Sequence, residues 1–285
     1  PYLYSIQNKL EYMEKYYSKS LKQIRHFKHE TTSIIKNNNS LRISSYNVHG
    51  WRDPLDKWNP KDIIKNIIQT NTDIICLQEF VYSPQIINSL KMYYPYYCDY
   101  GNLAIFSKFK ISSVKHITLG RDNHYFIERY LLWISLEING KKIHVFNTHL
   151  DVFDTTEITR FKQIKLVLSE IKKINLLDLI LLMGDFNSIY KNDYTEQYFN
   201  EILMKDPKHI PPDENILVIK EIVKYMHDVK RIDENALVRN IKNQFTVWSL
   251  RRVDYIFINQ KVKLNYFINY NHSSDHYLIY CDLYL

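Results

Sequence analysis

From Leu41 onward the chain alternates between short β-like runs and helical stretches, and this alternation limits the fold more than any other feature. The runs are LRISSYNV (41–48), TDIICLQE (72–79), NLAIFSK (102–108), LLWISLEI (131–138) and KIHVFNTHL (142–150). DLILLMGDF (178–186), VDYIFI (253–258) and YLIYCDLYL (277–285) follow. All are rich in the β-branched and aromatic residues that suit strands. Helical spacing marks 60–71 and 156–175; in the second, Ile158, Phe161, Ile164, Leu168, Ile171 and Ile174 share one side. EINGKK joins two runs through Asn139-Gly140, the dipeptide preferred in tight hairpins. An antiparallel hairpin among helix-linked runs predicts a layered α/β or α+β domain rather than a purely parallel sheet.

Two stretches depart from this pattern. Within residues 1–40, Ile6, Leu10, Met13, Tyr17, Leu21, Ile24 and Phe27 form one face of an amphipathic helix, and KNNNS (36–40) closes it as a linker. This predicted arm carries seven Lys and Arg against three Glu. It reads either as a helix packed on the main domain, 41–285, or as a basic arm for a phosphate backbone. Between 187 and 245 the periodicity weakens. Pro207, Pro211 and Pro212 mark a loop, 216–226 reads as a helix, and the whole is expected to be a surface insertion near the strand ends.

The net charge of +7 favours phosphate-rich partners, although the joint abundance of Lys, Asn, Ile and Tyr is also what AT-rich coding produces. Cys76, Cys98 and Cys281 are odd in number and widely spaced, two of them inside apolar runs. Free buried thiols and a reducing, intracellular compartment are expected. The chain holds no apolar run long enough to span a membrane, so no membrane span is expected. A monomer is expected as well.

Polar residues fall where the β-runs end. The first run ends at Asn47, with His49 beyond it; the second at Glu79; the fifth at His149; the sixth at Asp185 and Asn187. Asp254 opens the seventh, and Asp275-His276 precedes the last. One such placement is a turn, but six predict strand ends converging on a polar pocket. Asp185 and Asn187, two apart, can address one point from the same side of a strand.

This inventory contains carboxylates, carboxamides and two imidazoles, with no thiolate ligand set, Gly-rich phosphate loop or G-x-S-x-G elbow. Acidic oxygens favour a hard cation, Mg²⁺ or Mn²⁺, whose other positions are filled by water and substrate phosphate. Histidines beside carboxylates suit acid/base work or stabilisation of a charged transition state. The parts together predict metal-assisted hydrolysis of a phosphate ester.

The same residues resemble, in order, the motifs of the endonuclease/exonuclease/phosphatase superfamily, the DNase-I-like phosphoesterases. SSYNVHG resembles the first motif with Asn47, CLQE the second with Glu79, and GDFN a third with Asp185 and Asn187. RVDYIF and SDH resemble the last two, with Asp254, Asp275 and His276. ERYLLWISL before NTHL resembles the nuclease branch, which implies Arg129 on phosphate and His149 across the scissile bond. The resemblance implies a four-layered α/β/β/α sandwich of two mixed sheets, with the site at one end. It also implies Mg²⁺ on Glu79, Asn47 and Asp275, and water handled by Asp185 and Asn187. His276 would be the catalytic imidazole, oriented by Asp254 or by Asp275.

Two features sort the branches. The disulfides of the secreted nucleases have no counterpart here, and FTVWSLRRVDY and THLD…RFKQIKLVL resemble the abasic-site and tyrosyl-DNA phosphodiesterase branches. The function expected is a Mg²⁺-dependent phosphodiesterase acting on nucleic acid, as nuclease or end-processing enzyme. Phospholipid or inositol phosphate is the alternative substrate, and a non-catalytic binding protein on this fold is the third reading.

Overall fold

The computed structural model describes Lys36 and residues 39–121, 127–203, 217–233 and 244–285. Most of the predicted arm and all three prolines of the 187–245 segment lie outside the described residues.

The first sheet contains β1 (Leu41–Asn47), β2 (Ile74–Gln78), β3 (Tyr96–Tyr100), β4 (Leu103–Ser107), β11 (Lys263–Asn269) and β12 (Leu278–Tyr284). Its order is β11-β12-β1-β2-β4-β3. The second contains β5 (Ile111–Arg121), β6 (Glu128–Ile138), β7 (Lys141–His149), β8 (Leu179–Asp185), β9 (His227–Asp228) and β10 (Asp254–Ile258), ordered β5-β6-β7-β8-β10-β9. Each sheet has one parallel pair spanned by a helix. β1 and β2 are bridged by α1 (Pro60–Thr70), and β7 and β8 by α3 (Ile158–Ile171). A parallel pair needs such a crossover. The remaining helix of the first sheet is α2 (Pro84–Lys91).

Three apolar layers hold four layers of structure together. Between the sheets lie Ile43, Ile74, Ile105, Leu132, Val145, Leu181 and Ile256. Ile164, Val167, Leu168 and Ile171 of α3 cover Phe146, Ile180 and Leu182 on the second sheet. Ile63 and Ile67 of α1 and Ile86, Ile87 and Leu90 of α2 cover Ile75, Leu77 and Phe106 on the first. Central strands therefore bury both faces, and β1 and β8 are buried at every residue. The result is the α/β/β/α sandwich with mixed sheets that the sequence led us to expect. Asn139 (φ 52) and Gly140 (φ 75) turn β6 into β7, and Cys76, Cys98 and Cys281 are free.

The segment after Asn187 corrects one expectation, because its described parts are built into the core. Tyr194, Tyr198, Phe199, Leu203 and Val229 join the apolar layer between the sheets. Arg252, wholly buried, is held there by Asp228 at 2.6 Å and Asp193 at 3.0 Å. Charged and tyrosine-rich sequence reads as surface, yet Asp193 and Asp228 are buried and paired with Arg252 inside. The helix expected over 216–226 covers only Val218–Ile222.

Candidate active site

Each strand that carries a motif delivers its polar residue to the same end of the sandwich. Parallel pairing of β7 and β8 sets His149 opposite Asp185. Antiparallel pairing of β8 and β10 sets Asp254 opposite the same Asp185. Gly184 permits the first approach: with φ 152, a Cβ there would lie 2.0 Å from the Thr148 carbonyl oxygen. From the other sheet β1 brings Asn47, β2 brings Glu79, and an isolated bridge between Val247 and His276 places His276 ahead of β12.

Asp185 is the hub. Its Oδ2 accepts from the Asn47 amide at 3.1 Å and lies 3.5 Å from His149 Nε2 and 3.7 Å from His276 Nε2. Its Oδ1 accepts from the Asn187 backbone N–H at 2.9 Å. The Asn47 amide also donates to Glu79 Oε1 at 3.0 Å, so one NH₂ group joins two carboxylates from different sheets. Glu79 (φ 51), Asn187 (φ 47) and His49 (φ 47) all hold left-handed backbone, which side-chain-bearing residues adopt at a penalty and which concentrates at functional sites.

The two imidazoles are driven apart electrically. Burial, then the charges of Arg129 and His276, holds His149 well below its ordinary value, so it is neutral. Burial also works against a charge on His276, but Asp254, Asp275 and Asp185 outweigh it and hold His276 well above the usual value. Asp254 is the carboxylate that orients it, at 2.9 Å from Nδ1. Asp275 lies instead with its Oδ1 3.8 Å from His49 Nδ1. Burial, then repulsion from Asp254, pushes Asp185 up to about 7, partly offset by His276 and by the hydrogen bonds from Asn187 and Asn47. Titratable groups pushed apart at one point are an arrangement able to handle protons.

Glu79 and His149 border two openings. One, about 210 Å³, is lined by Asp185, Asn187, His276, Asp275, Trp248, Arg160 and Arg251 among others. The other, about 510 Å³, is lined by Arg129, Asn102, His49, Val81 and Phe153 among others. All nine predicted site residues thus border one connected polar end or bond to residues that do. Arg129 is buried near the start of β6, and its Nε has no hydrogen-bond partner among the described residues. Trp51 is buried and donates to the Val81 carbonyl, whereas Trp248 faces the smaller cavity.

Sequence reasoning missed Asn102, 3.4 Å from His149 Nδ1, and Arg160 on the cavity wall. It also missed Thr246, whose hydroxyl accepts from the backbone N–H groups of Val253 and Asp254. Asn102 opens a β-run and Thr246 and Arg160 lie inside quoted motifs, so position was their only signal.

The donor set is hard and anionic. Asp185, Asp254 and His276 place one potential ligand atom each within 4.8 Å of one another, an acidic and imidazole cluster that can take a divalent cation once His276 gives up its proton. The oxygens of Glu79 and Asp185 flank a second position, where the Asn47 NH₂ now offsets both charges. Both arrangements fit a cation that prefers oxygen ligands.

The sequence profile of the Endonuclease/Exonuclease/phosphatase family matches residues 44–276. The chain belongs to this family. Family membership makes it a phosphoric-ester hydrolase, of a kind that generally depends on divalent metal. Among solved structures, truncated TDP2 of Caenorhabditis elegans is 19% identical with a TM-score of 0.62, covering 86% of this chain and 98% of that one. D. rerio TDP2 complexed with a single-strand DNA product is 19% identical with a TM-score of 0.57, over 85% and 98% of the two chains. A family protein from Leptotrichia buccalis is 18% identical with a TM-score of 0.58, over 85% and 99%. At these identities the likeness is one of fold. No curated protein matches the sequence.

Proposed function

We propose that this family member is a Mg²⁺-dependent phosphodiesterase acting on nucleic acid, cutting or trimming at a phosphate held between Arg129, His149 and His276. The observation that carries the reading is the meeting at Asp185 Oδ2 of the Asn47 amide at 3.1 Å and two imidazoles, His149 Nε2 at 3.5 Å and His276 Nε2 at 3.7 Å, the first held neutral and the second cationic by their surroundings. A base works best with a pKa near the working pH, and without metal, burial beside Asp254 raises the Asp185 carboxyl toward that range. Asp185 takes the proton of the attacking water, which the Asn187 side chain helps to place. His276, its Nδ1 held by Asp254, keeps its charged Nε2 edge toward Asp185 and offsets negative charge on the phosphoryl oxygens. His149, neutral and fixed by Asn102, donates or accepts a hydrogen bond without adding charge.

Glu79, with Asn47 turned to present its oxygen, would hold the metal, and Asp275 stands on the same cavity wall. Bound there, Mg²⁺ would polarise the phosphoryl group and neutralise developing charge. Support for nucleic acid comes from the net charge of +7 and from the TDP2 structure that contains single-strand DNA product.

The test is a substrate panel of single- and double-stranded DNA, RNA, a 5′-tyrosyl oligonucleotide, sphingomyelin and inositol phosphates, each with Mg²⁺ or EDTA. Hydrolysis of a nucleic-acid substrate that EDTA abolishes is expected; hydrolysis confined to the lipid or inositol substrates overturns the reading. On the active substrate Arg129→Ala should raise KM by about 10- to 100-fold, the worth of one charge-assisted hydrogen bond to phosphate. An unchanged KM would remove Arg129 from the phosphate.

A further inference from the structure

Directly beneath the site, a polar bridge crosses an otherwise apolar interface. The Gln78 amide nitrogen donates to Asn147 Oδ1 at 2.7 Å and to the Ser45 hydroxyl at 3.1 Å. The Asn147 amide nitrogen donates to the carbonyls of Leu77 and Ala104, both at 2.9 Å. These two carbonyls belong to register partners of β2 and β4. Asn147 stands on β7 of the second sheet, so a side chain of one sheet is tied at three points to the other. Ser45, Gln78 and Asn147 are all fully buried.

Their places in the strands relate them to the site. Ser45 lies two residues before Asn47 on β1, and Asn147 two before His149 on β7, so each shares a face with the site residue above it. Gln78 is the last residue of β2, and Glu79 follows at φ 51 as the chain turns over the sheet end. One polar layer therefore underlies Asn47, Glu79 and His149.

We infer that the Ser45–Gln78–Asn147 bridge sets the separation and angle between Glu79 and His149, making Gln78 and Asn147 positioning residues for the reaction. Aliphatic layers such as Ile43, Val145 and Leu181 resist separation of the sheets but scarcely fix their relative slide, because dispersion contacts are undirected. Hydrogen bonds are directional, and a buried polar group left unbonded is penalised, so a fully bonded amide pair selects one alignment. The two side chains above it come from different sheets and must address one phosphate together. Chemistry at such a centre loses about 10²-fold for a displacement near 1 Å.

The inference rests on the proposed roles of Glu79 and His149, and its test includes a readout that needs no substrate. The variant is Gln78→Met with Asn147→Leu, which replaces both side chains by apolar groups of similar size and leaves neither amide orphaned, while the Ser45 hydroxyl and the Leu77 and Ala104 carbonyls lose a donor. Its melting temperature is measured with and without saturating Mg²⁺, and kcat and KM on the active substrate. Expected is a folded protein with a reduced Mg²⁺-induced rise in melting temperature, KM nearly unchanged, and kcat lower by about 10²-fold. A folded variant with wild-type kcat and a wild-type Mg²⁺ response overturns the inference. Should the double variant not fold, Ser45→Ala, which removes only the hydroxyl under Gln78, decides: kcat several-fold lower supports the bridge, and unchanged kcat overturns it. Should the wild-type protein hydrolyse no substrate, the proposed function fails alone, and the Mg²⁺ response still judges the bridge.

Discussion

His276→Asn should lower kcat by about 10³-fold, the upper end of the range for losing one positioned donor that offsets transition-state charge. Asparagine is the informative replacement because its Nδ2 can take the place of histidine Nδ1 and keep the 2.9 Å bond to Asp254. Only Nε2 and the charge are lost. His276→Ala would abolish activity equally, but it would also leave Asp254 buried without its counter-charge, which costs about 3–5 kcal/mol. The pH profile separates charge from shape. Burial opposes the imidazolium, yet Asp254, Asp275 and Asp185 raise its pKa well above the ordinary value, so wild-type His276 is charged at neutral pH. On the alkaline side, activity should then fall as pH rises through that raised value. This alkaline limb should be missing from His276→Asn and should move to lower pH in Asp254→Asn, where the main stabilising charge is gone. An alkaline limb that persists in His276→Asn assigns it to another group and sinks the role given to His276.

The sequence was most legible where both faces of a strand are buried. All eight predicted runs became strands within two or three residues at each end, because continuous apolar runs have few other fates in a chain this size. Among the described residues, the unpredicted strands β3, β5, β9 and β11 are the edges of the two sheets. An edge need bury only one side or neither; β5 is exposed along most of its length, and Lys115 and His116 stand within it. Their polar sequence hides them for the same reason that it protects them. The segment after Asn187 misled in the opposite sense, since Asp193, Asp228 and Lys230 look solvated but are buried around Arg252.

Site legibility followed a related rule. Residues that end strands, such as Asn47, Asp185 and His149, announced themselves by breaking apolar runs. The partner of His276 did not: Asp254 and Asp275 are equally good candidates in sequence, and only the β8–β10 register shows that Asp254 reaches the ring. Gln78 and Asn147 stood in plain view inside CLQE and NTHL. Nothing one-dimensional shows that two amides 69 positions apart meet between sheets.

Asp185→Asn is the variant in which activity and stability should move in opposite directions. The substitution removes the proposed base and the charge at the hub of the site, so kcat should fall by about 10³-fold or more. In EDTA, however, the variant should unfold at a higher temperature than wild type at neutral pH. Burial and Asp254 raise the Asp185 carboxyl from 3.8 to about 7. Between those values the folded protein holds a proton on Asp185 that the unfolded chain has released, so the Asp185 contribution to wild-type stability declines as pH rises from about 4 to about 7. A displacement of that size corresponds to roughly 4 kcal/mol at its upper limit. The variant lacks this loss, and it gives up about 1 kcal/mol because the Asn47 amide keeps Glu79 but loses Asp185 as an acceptor. The stability gap should therefore be small near pH 4 and widen until about pH 7. Saturating Mg²⁺ should narrow it, since a cation beside Asp185 favours the carboxylate in the folded state. Melting temperatures of the two proteins across this pH range, with EDTA and with Mg²⁺, provide the measurement. A gap that does not grow with pH in EDTA would mean that Asp185 is ionised without strain, and the base would have to be sought elsewhere in the site.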